Sequence, residues 1–314
     1  MTYIARTMRK QLLLAILLLV TFVTAKAQKP DMAHILIHYK FTWLRDTTDR
    51  ARPYTENMVL YVGKRASVYR SYDGVVYRAQ FKKAYAKLAA KSVDGRVGTD
   101  RLDVGSNAEY YEFPNERKLL TKDKLLVITY VFESPLPIID WKISSDTATF
   151  GGLNCQQATC HFKGRDYIAW FCPDLPVHTG PWKLNGLPGV IVDARDAKNE
   201  VVFKFNGVEK AVPAQKKKGP AVDEKDEPPI IRDLDDDMNI IAPSRAIKTT
   251  QKEFNKLNRV MQKDPEAFMQ AVFASQQFGM PGGDAASMDH IKVRPGHGLN
   301  GPVINNPIEL PEKK

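Results

Sequence analysis

The side chains best suited to chemistry in this 314-residue sequence are three cysteines, six histidines and one run of acidic residues. His34 and His38 stand four apart, a spacing that converges on one metal ion when it lies on a helix. Their surroundings, His34-Ile35-Leu36-Ile37-His38-Tyr39-Lys40-Phe41-Thr42-Trp43, are β-branched and aromatic with partial alternation, which predicts a strand. A strand holds the two imidazoles about 13 Å apart, too far for a shared ion. The acidic run, Asp223-Glu224-Lys225-Asp226-Glu227 and then Asp235-Asp236-Asp237, lacks the turn glycine and spaced ligands of an EF-hand loop, so no metal site is assigned. His-Glu-x-x-His, Gly-x-Ser-x-Gly, Walker and Cys-x-x-Cys patterns do not occur. Neither a catalytic residue nor a cofactor is assigned on this basis. One chemical alternative stays open: Cys155, Cys160 or Cys172 as nucleophile with His161 or His178 as base, the arrangement of a thiol-dependent hydrolase.

The cysteines have a second use. If Asn154–Phe162 is a strand, Cys155 and Cys160 lie about 17 Å apart on opposite faces and cannot bond. Cys172 lies on the return strand after a Lys163-Gly164-Arg165 turn, opposite or diagonal to Cys155. Cys155–Cys172 is therefore the preferred disulfide, against the alternative of buried free thiols. Disulfides persist in oxidising compartments, and the start of the chain points to one. Met8-Arg9-Lys10 precedes an apolar run from Leu12 to Val20, and Ala25-Lys26-Ala27 supplies the small residues that signal peptidase requires. The expectation is a signal peptide over residues 1–27 and a mature segment over 28–314, exported to the periplasm or the outer-membrane periphery. No later apolar run reaches the roughly 20 residues that span a bilayer, so no membrane span is expected in the mature chain. Removing residues 1–27 takes away four basic and no acidic residues, lowering the formal charge from +10 to +6. The remaining Lys and Arg are scattered instead of forming a stripe, which argues against a nucleic-acid partner.

The elements that must position these residues are mostly strands. Asn57–Val62 and Ser67–Tyr72 read as a hairpin, followed by Ala108–Phe113, Lys124–Glu133 and Ile138–Ile143. Asn154–Phe162 with Asp166–Cys172, and Leu187–Ala194 with Glu200–Phe205, read as two further hairpins. Tyr77, Phe81, Ala84, Tyr85 and Leu88 recur at helical spacing, predicting a helix over 75–91. Two more helices are expected near the C-terminus: Lys248–Gln262 with Phe254, Leu257 and Met261 on one face, and one opened by Asp264-Pro265 that carries Phe268, Val272 and Phe273. The fold class is mainly β (α+β), a meandering antiparallel sheet in a single domain. A charged insertion over 213–240 and a Gly-rich segment over 279–303 interrupt it.

The stretch from Trp170 to Ile191 is unusually rich in aromatic, Pro and Gly residues. Leu187-Pro188-Gly189-Val190 places Pro and Gly at the centre of a type II turn, and Asn185-Gly186 allows another bend before it. One reading is a rigid corner feeding the next strand, with Gly186, Pro188 and Gly189 as its turn residues. The other is a recognition surface in which Trp170, Trp182, Leu184, Leu187 and Pro188 bind a ligand or partner.

Gly186-Leu187-Pro188-Gly189-Val190-Ile191 resembles the signature of the GLPGLI family of exported Gram-negative proteins. Flanking pieces agree: Ile139-Asp140-Trp141-Lys142-Ile143, Gly164-Arg165-Asp166-Tyr167-Ile168-Ala169-Trp170-Phe171, Gly180-Pro181-Trp182, and the closing Asn306-Pro307-Ile308-Glu309-Leu310. The sequence departs from that pattern at Val190, at Cys172 and in the charged insertion. The resemblance implies an exported protein of unassigned function and transfers no catalytic residue. The expectation is a non-enzymatic binding or assembly protein for an apolar ligand or an outer-membrane protein. The alternatives are a periplasmic hydrolase and an accessory subunit of an outer-membrane receptor.

Overall fold

The computed structural model describes residues 31–89, 105–126, 128–212, 238–243, 246–274 and 303–312. The leader, nearly all of the charged insertion and nearly all of the Gly-rich segment lie outside them.

Two antiparallel meanders make one sheet. The first runs through β2 (Ile35–Trp43), β3 (Tyr54–Val62), β4 (Ser67–Ser71), β5 (Glu109–Phe113), β6 (Lys118–Leu125) and β7 (Ile128–Pro135). The second runs through β8 (Lys142–Phe150), β9 (Leu153–Phe162), β10 (Arg165–Cys172), β11 (Val190–Asp196) and β12 (Val201–Lys210). They join where β12 pairs with β2 from Val201↔Trp43 to Lys210↔Ile35. A short strand, β14 (Ile247–Thr249), adds parallel to β7, so the sheet is twelve-stranded and mixed, with β8 at one edge and β14 at the other. A separate ribbon pairs β1 (Asp31–Met32) with β13 (Asn239–Ile240). Helix α1 (Tyr72–Ala89) links β4 to β5, and α2 (Gln251–Lys263) and α3 (Pro265–Ala274) follow β14.

Local chemistry sets the boundaries. Thr250 caps α2 by accepting from the Glu253 amide at 3.2 Å, and Asp264 caps α3 by accepting from the Ala267 amide at 2.9 Å, with Pro265 in the first turn. The run expected as one strand, Lys124–Glu133, is split between the end of β6 and β7, with Leu126 at positive φ in the turn. Pro135 and Pro137 keep 136–141 out of the ladder, so β8 begins at Lys142 instead of Ile138 and continues through a polar run to Phe150.

Period-two burial builds the largest core. Ile37, Tyr39 and Phe41 of β2, Met58, Leu60 and Val62 of β3, and Tyr167, Ala169 and Phe171 of β10 share one face. Leu36, Val59, Tyr61, Val68 and Tyr111 on the opposite face pack with Ala33 and Ile240. Phe254 and Phe268, from α2 and α3, cover Leu125, Tyr130 and Phe132. Each such side chain contributes roughly 1.5–3 kcal/mol on burial.

Candidate functional site

The connection from β10 to β11, residues 173–189, folds inward and fills the largest core. Trp182, Leu184 and Leu187 are 4, 0 and 1 % exposed, and Trp182 stacks on Phe203 at 6.4 Å while meeting Phe162 edge-on at 5.8 Å. Three of the five residues expected to face a ligand therefore face the protein. Their burial is the larger energetic payoff, because an indole and two leucines exposed together cost more than a corner that tucks them in. Pro188 is exposed at the corner, and Trp170 is half-buried on β10.

The corner is not a type II turn. The Gly189 amide donates to the Leu187 carbonyl at 2.8 Å, a three-residue turn about Pro188, and the Val190 amide donates across the loop to the Leu175 carbonyl at 3.0 Å. Gly189 is needed for room: a Cβ there would stand 2.2 Å from the Cys172 carbonyl oxygen. Gly186, at φ +92, supplies the preceding bend. The loop is bolted from outside by Trp141, whose Nε1 donates to the Asn185 carbonyl at 2.8 Å. From inside, Thr179 donates to Glu112 Oε2 at 2.6 Å and receives from the Ser67 hydroxyl at 2.6 Å. Glu112 is 1 % exposed and its other oxygen has no partner among the described residues, so burial pushes its carboxyl up to about 8 despite those hydroxyls.

Cys172 lies directly before the loop and is joined to Cys155, with the two Cα atoms 4.2 Å apart. Phe171 pairs with Gln156, so the next position on each strand brings the two sulfurs together on the core face. Cys160 is a buried free thiol pushed up to about 12 by burial, with Asp166 adding to the shift. His161 points to the outside, between Asp166 at 2.6 Å and Glu312 at 2.9 Å. No described cysteine is thus a thiolate near a histidine. His34 and His38 lie at the start of β2 and on it, and His38 pairs with Glu209 at 3.0 Å. No group of three or more His, Cys, Asp or Glu among the described residues is placed to hold a metal ion.

A feature that the sequence reading missed is the C-terminal clasp on Arg165, itself 4 % exposed. Its guanidinium donates to Asp196 at 2.7 Å, to Asn306 Oδ1 at 2.6 Å and to the carbonyls of Pro307 and Ile308 at 2.8 and 2.9 Å. An arginine inside a β-hairpin carries no sequence signal of burial.

The surface beside the disulfide is open. Among the described residues, β8 pairs with β9 on one side only. Its first half is guarded by Lys142, Asp146 and a bulge between Ile143 and Thr147, devices that blunt sheet edges. From Thr147 to Phe150 it carries no lysine, proline or bulge. Gly151 and Gly152 close the β8–β9 hairpin at φ +55 and +83, a type I′ turn. Phe150 and Leu153 are then the hydrogen-bonded pair, and the alternation of the ladder aims the backbone groups of Thr147 and Thr149 away from β9. A depression of about 290 Å³ adjoins them, lined by Thr147, Ala148, Thr149, Asn154, Cys155, Gln156 and Pro173. Ile138, 97 % exposed, and Ile143, 48 % exposed, flank the other end of the strand.

Residues 162–193, which cover β10, the inward loop and the start of β11, match a family described as "Protein of unknown function (Porph_ging)". That description differs from the GLPGLI name and shares its lack of an assigned function. No curated protein matches the sequence. Among solved structures, PNGF-II in its C2 and P21 crystal forms aligns with a TM-score of 0.43 and 11 % identity, over 71 % of this chain. The alignment spans 32 % of that chain, about a third of its length.

Proposed function

We propose that this is an exported, non-catalytic binding or assembly protein of the cell envelope that takes up an extended segment of a protein partner along the free edge of β8. Strand addition draws affinity from main-chain hydrogen bonds and specificity from alternate side chains. The observation that carries the reading is the unguarded Thr147–Phe150 half of β8, beside a depression whose floor is fixed by the disulfide. Ile138 and Ile143 supply apolar anchors next to the same edge. In this account the Gly-Leu-Pro-Gly corner is an internal brace that holds the end of β10 and the start of β11 in place.

A photo-crosslinking residue substituted for Ile143 in the full-length chain, expressed in its own envelope, tests this directly. The expected result is a discrete adduct whose crosslinked partner residues fall at alternate positions of one extended segment. Adducts that form from Lys198, on the turn between β11 and β12, and not from position 143 would overturn it.

A further inference from the structure

Lys40 of β2 and Lys204 of β12 stand directly opposite each other in the ladder, where like charges are destabilising. Lys204 is exposed and Lys40 half-buried, and neither is in an ion pair among the described residues.

The nearby carboxylates offset only part of this charge. Asp193 lies opposite Lys204, one step along from the Ala194↔Phe203 pair, where it accepts from the Phe205 amide at 2.9 Å and is one carboxylate shared between Lys204 and Arg195, leaving Lys40 without a share of it. Asp73 of α1 holds Asn57, the β3 neighbour of Lys40, through two hydrogen bonds of 2.9 Å. Glu209 is taken by His38 at 3.0 Å. Exposed Arg195 adds a third cation on the same face as Lys204, two residues along β11 from Asp193. Trp170, paired with Asp193 and lying 5.8 Å from Phe150, walls that row with aromatic surface. An apolar wall beside the charges strengthens their field.

We propose that Lys40 and Lys204, flanked by Arg195, bind a phosphate-sized oxyanion on this face of the sheet. Two ammoniums on adjacent strands, about 4.8 Å apart at the backbone, converge on one tetrahedral anion. A discrete anion fits better than a charged bilayer, because a bilayer laid on this face would also press against Asp193 and Glu209. The site is independent of strand addition at β8.

The test is thermal unfolding of the mature chain in inorganic phosphate, against sodium chloride of equal ionic strength. Phosphate should raise the midpoint saturably. Lys40→Gln should melt about 1–3 °C higher than the parent without phosphate, since it relieves the repulsion without removing the cation opposite Asp193, and both Lys40→Gln and Lys204→Gln should bind phosphate about tenfold more weakly. That opposition of stability and binding is not expected of a structural lysine. The proposal fails if phosphate acts no differently from chloride, if Lys40→Gln melts lower, if either variant responds to phosphate like the parent, or if only phosphatidylglycerol vesicles and not phosphate bind through these lysines.

Discussion

Glu112 shows how one buried side chain sets the behaviour of the signature loop. In the folded chain its carboxyl keeps its proton up to about pH 8, against an ordinary value of 4.5 when unfolded. Between those values the folded state binds the extra proton, so this contribution to stability is complete below the lower value and is lost as pH rises through the upper one. The slope is about 1.4 kcal/mol per pH unit within that window. Glu112→Gln keeps an acceptor for Thr179 and removes the titration. Chemical denaturation at several pH values should therefore show the parent weakening relative to the variant from pH 5 to 8, and a constant difference between them would refute the buried neutral carboxyl. Residue-level features were unequally legible. Hairpin parity brings Cys155 and Cys172 into one neighbourhood from sequence alone, and the structure holds them in a disulfide. Arg165 and Glu112 were invisible, because residues of their type on a strand are ordinarily exposed and only tertiary partners decide otherwise.

At the scale of elements, β8 is the one that carries the proposed function. Its alternating ladder makes a sharp distinction between neighbours. Thr149→Pro removes an amide that faces the open edge and should cost less than about 1 kcal/mol. Ala148→Pro removes an amide bonded to β9 and should cost on the order of 1–3 kcal/mol more. Equilibrium unfolding of the two variants decides the matter, and equal losses would mean that the register of the edge is not as described. Strands with alternating apolar residues, such as β2, β9 and β10, could be read from sequence because half of their side chains enter the core. β8 was displaced in the reading, since its polar run, Ser144-Ser145-Asp146-Thr147, has no buried face to impose a period. Lys118–Leu125 was missed although Leu119, Thr121 and Leu125 are buried on one face, because Leu120, Thr121 and Asp123 break the apolar alternation, and the parallel β14 is too short to show a pattern.

The whole molecule depends on a contact between distant parts of the chain. The pairing of β2 with β12 fuses two local meanders into one sheet, and the inward loop fills the core they share. The meanders were legible from turns and alternation, but their union was not, because no local pattern specifies which strand edges meet. With the disulfide, the inward loop and the C-terminal clasp all gathered near β9 and β10, that end is braced against deformation, while β8 keeps one edge unpaired among the described residues. A braced edge strand loses little entropy on accepting another strand, which would favour the proposed binding at β8. Residue-resolved amide exchange on the isolated chain and on the chain bound to the segment identified by crosslinking tests this most directly. The account predicts that Thr147 and Thr149 exchange quickly alone and slow by at least about tenfold when bound, while Ala148 and Phe150 are protected in both states. Protection that appears on other strands while Thr147 and Thr149 stay fast would contradict it.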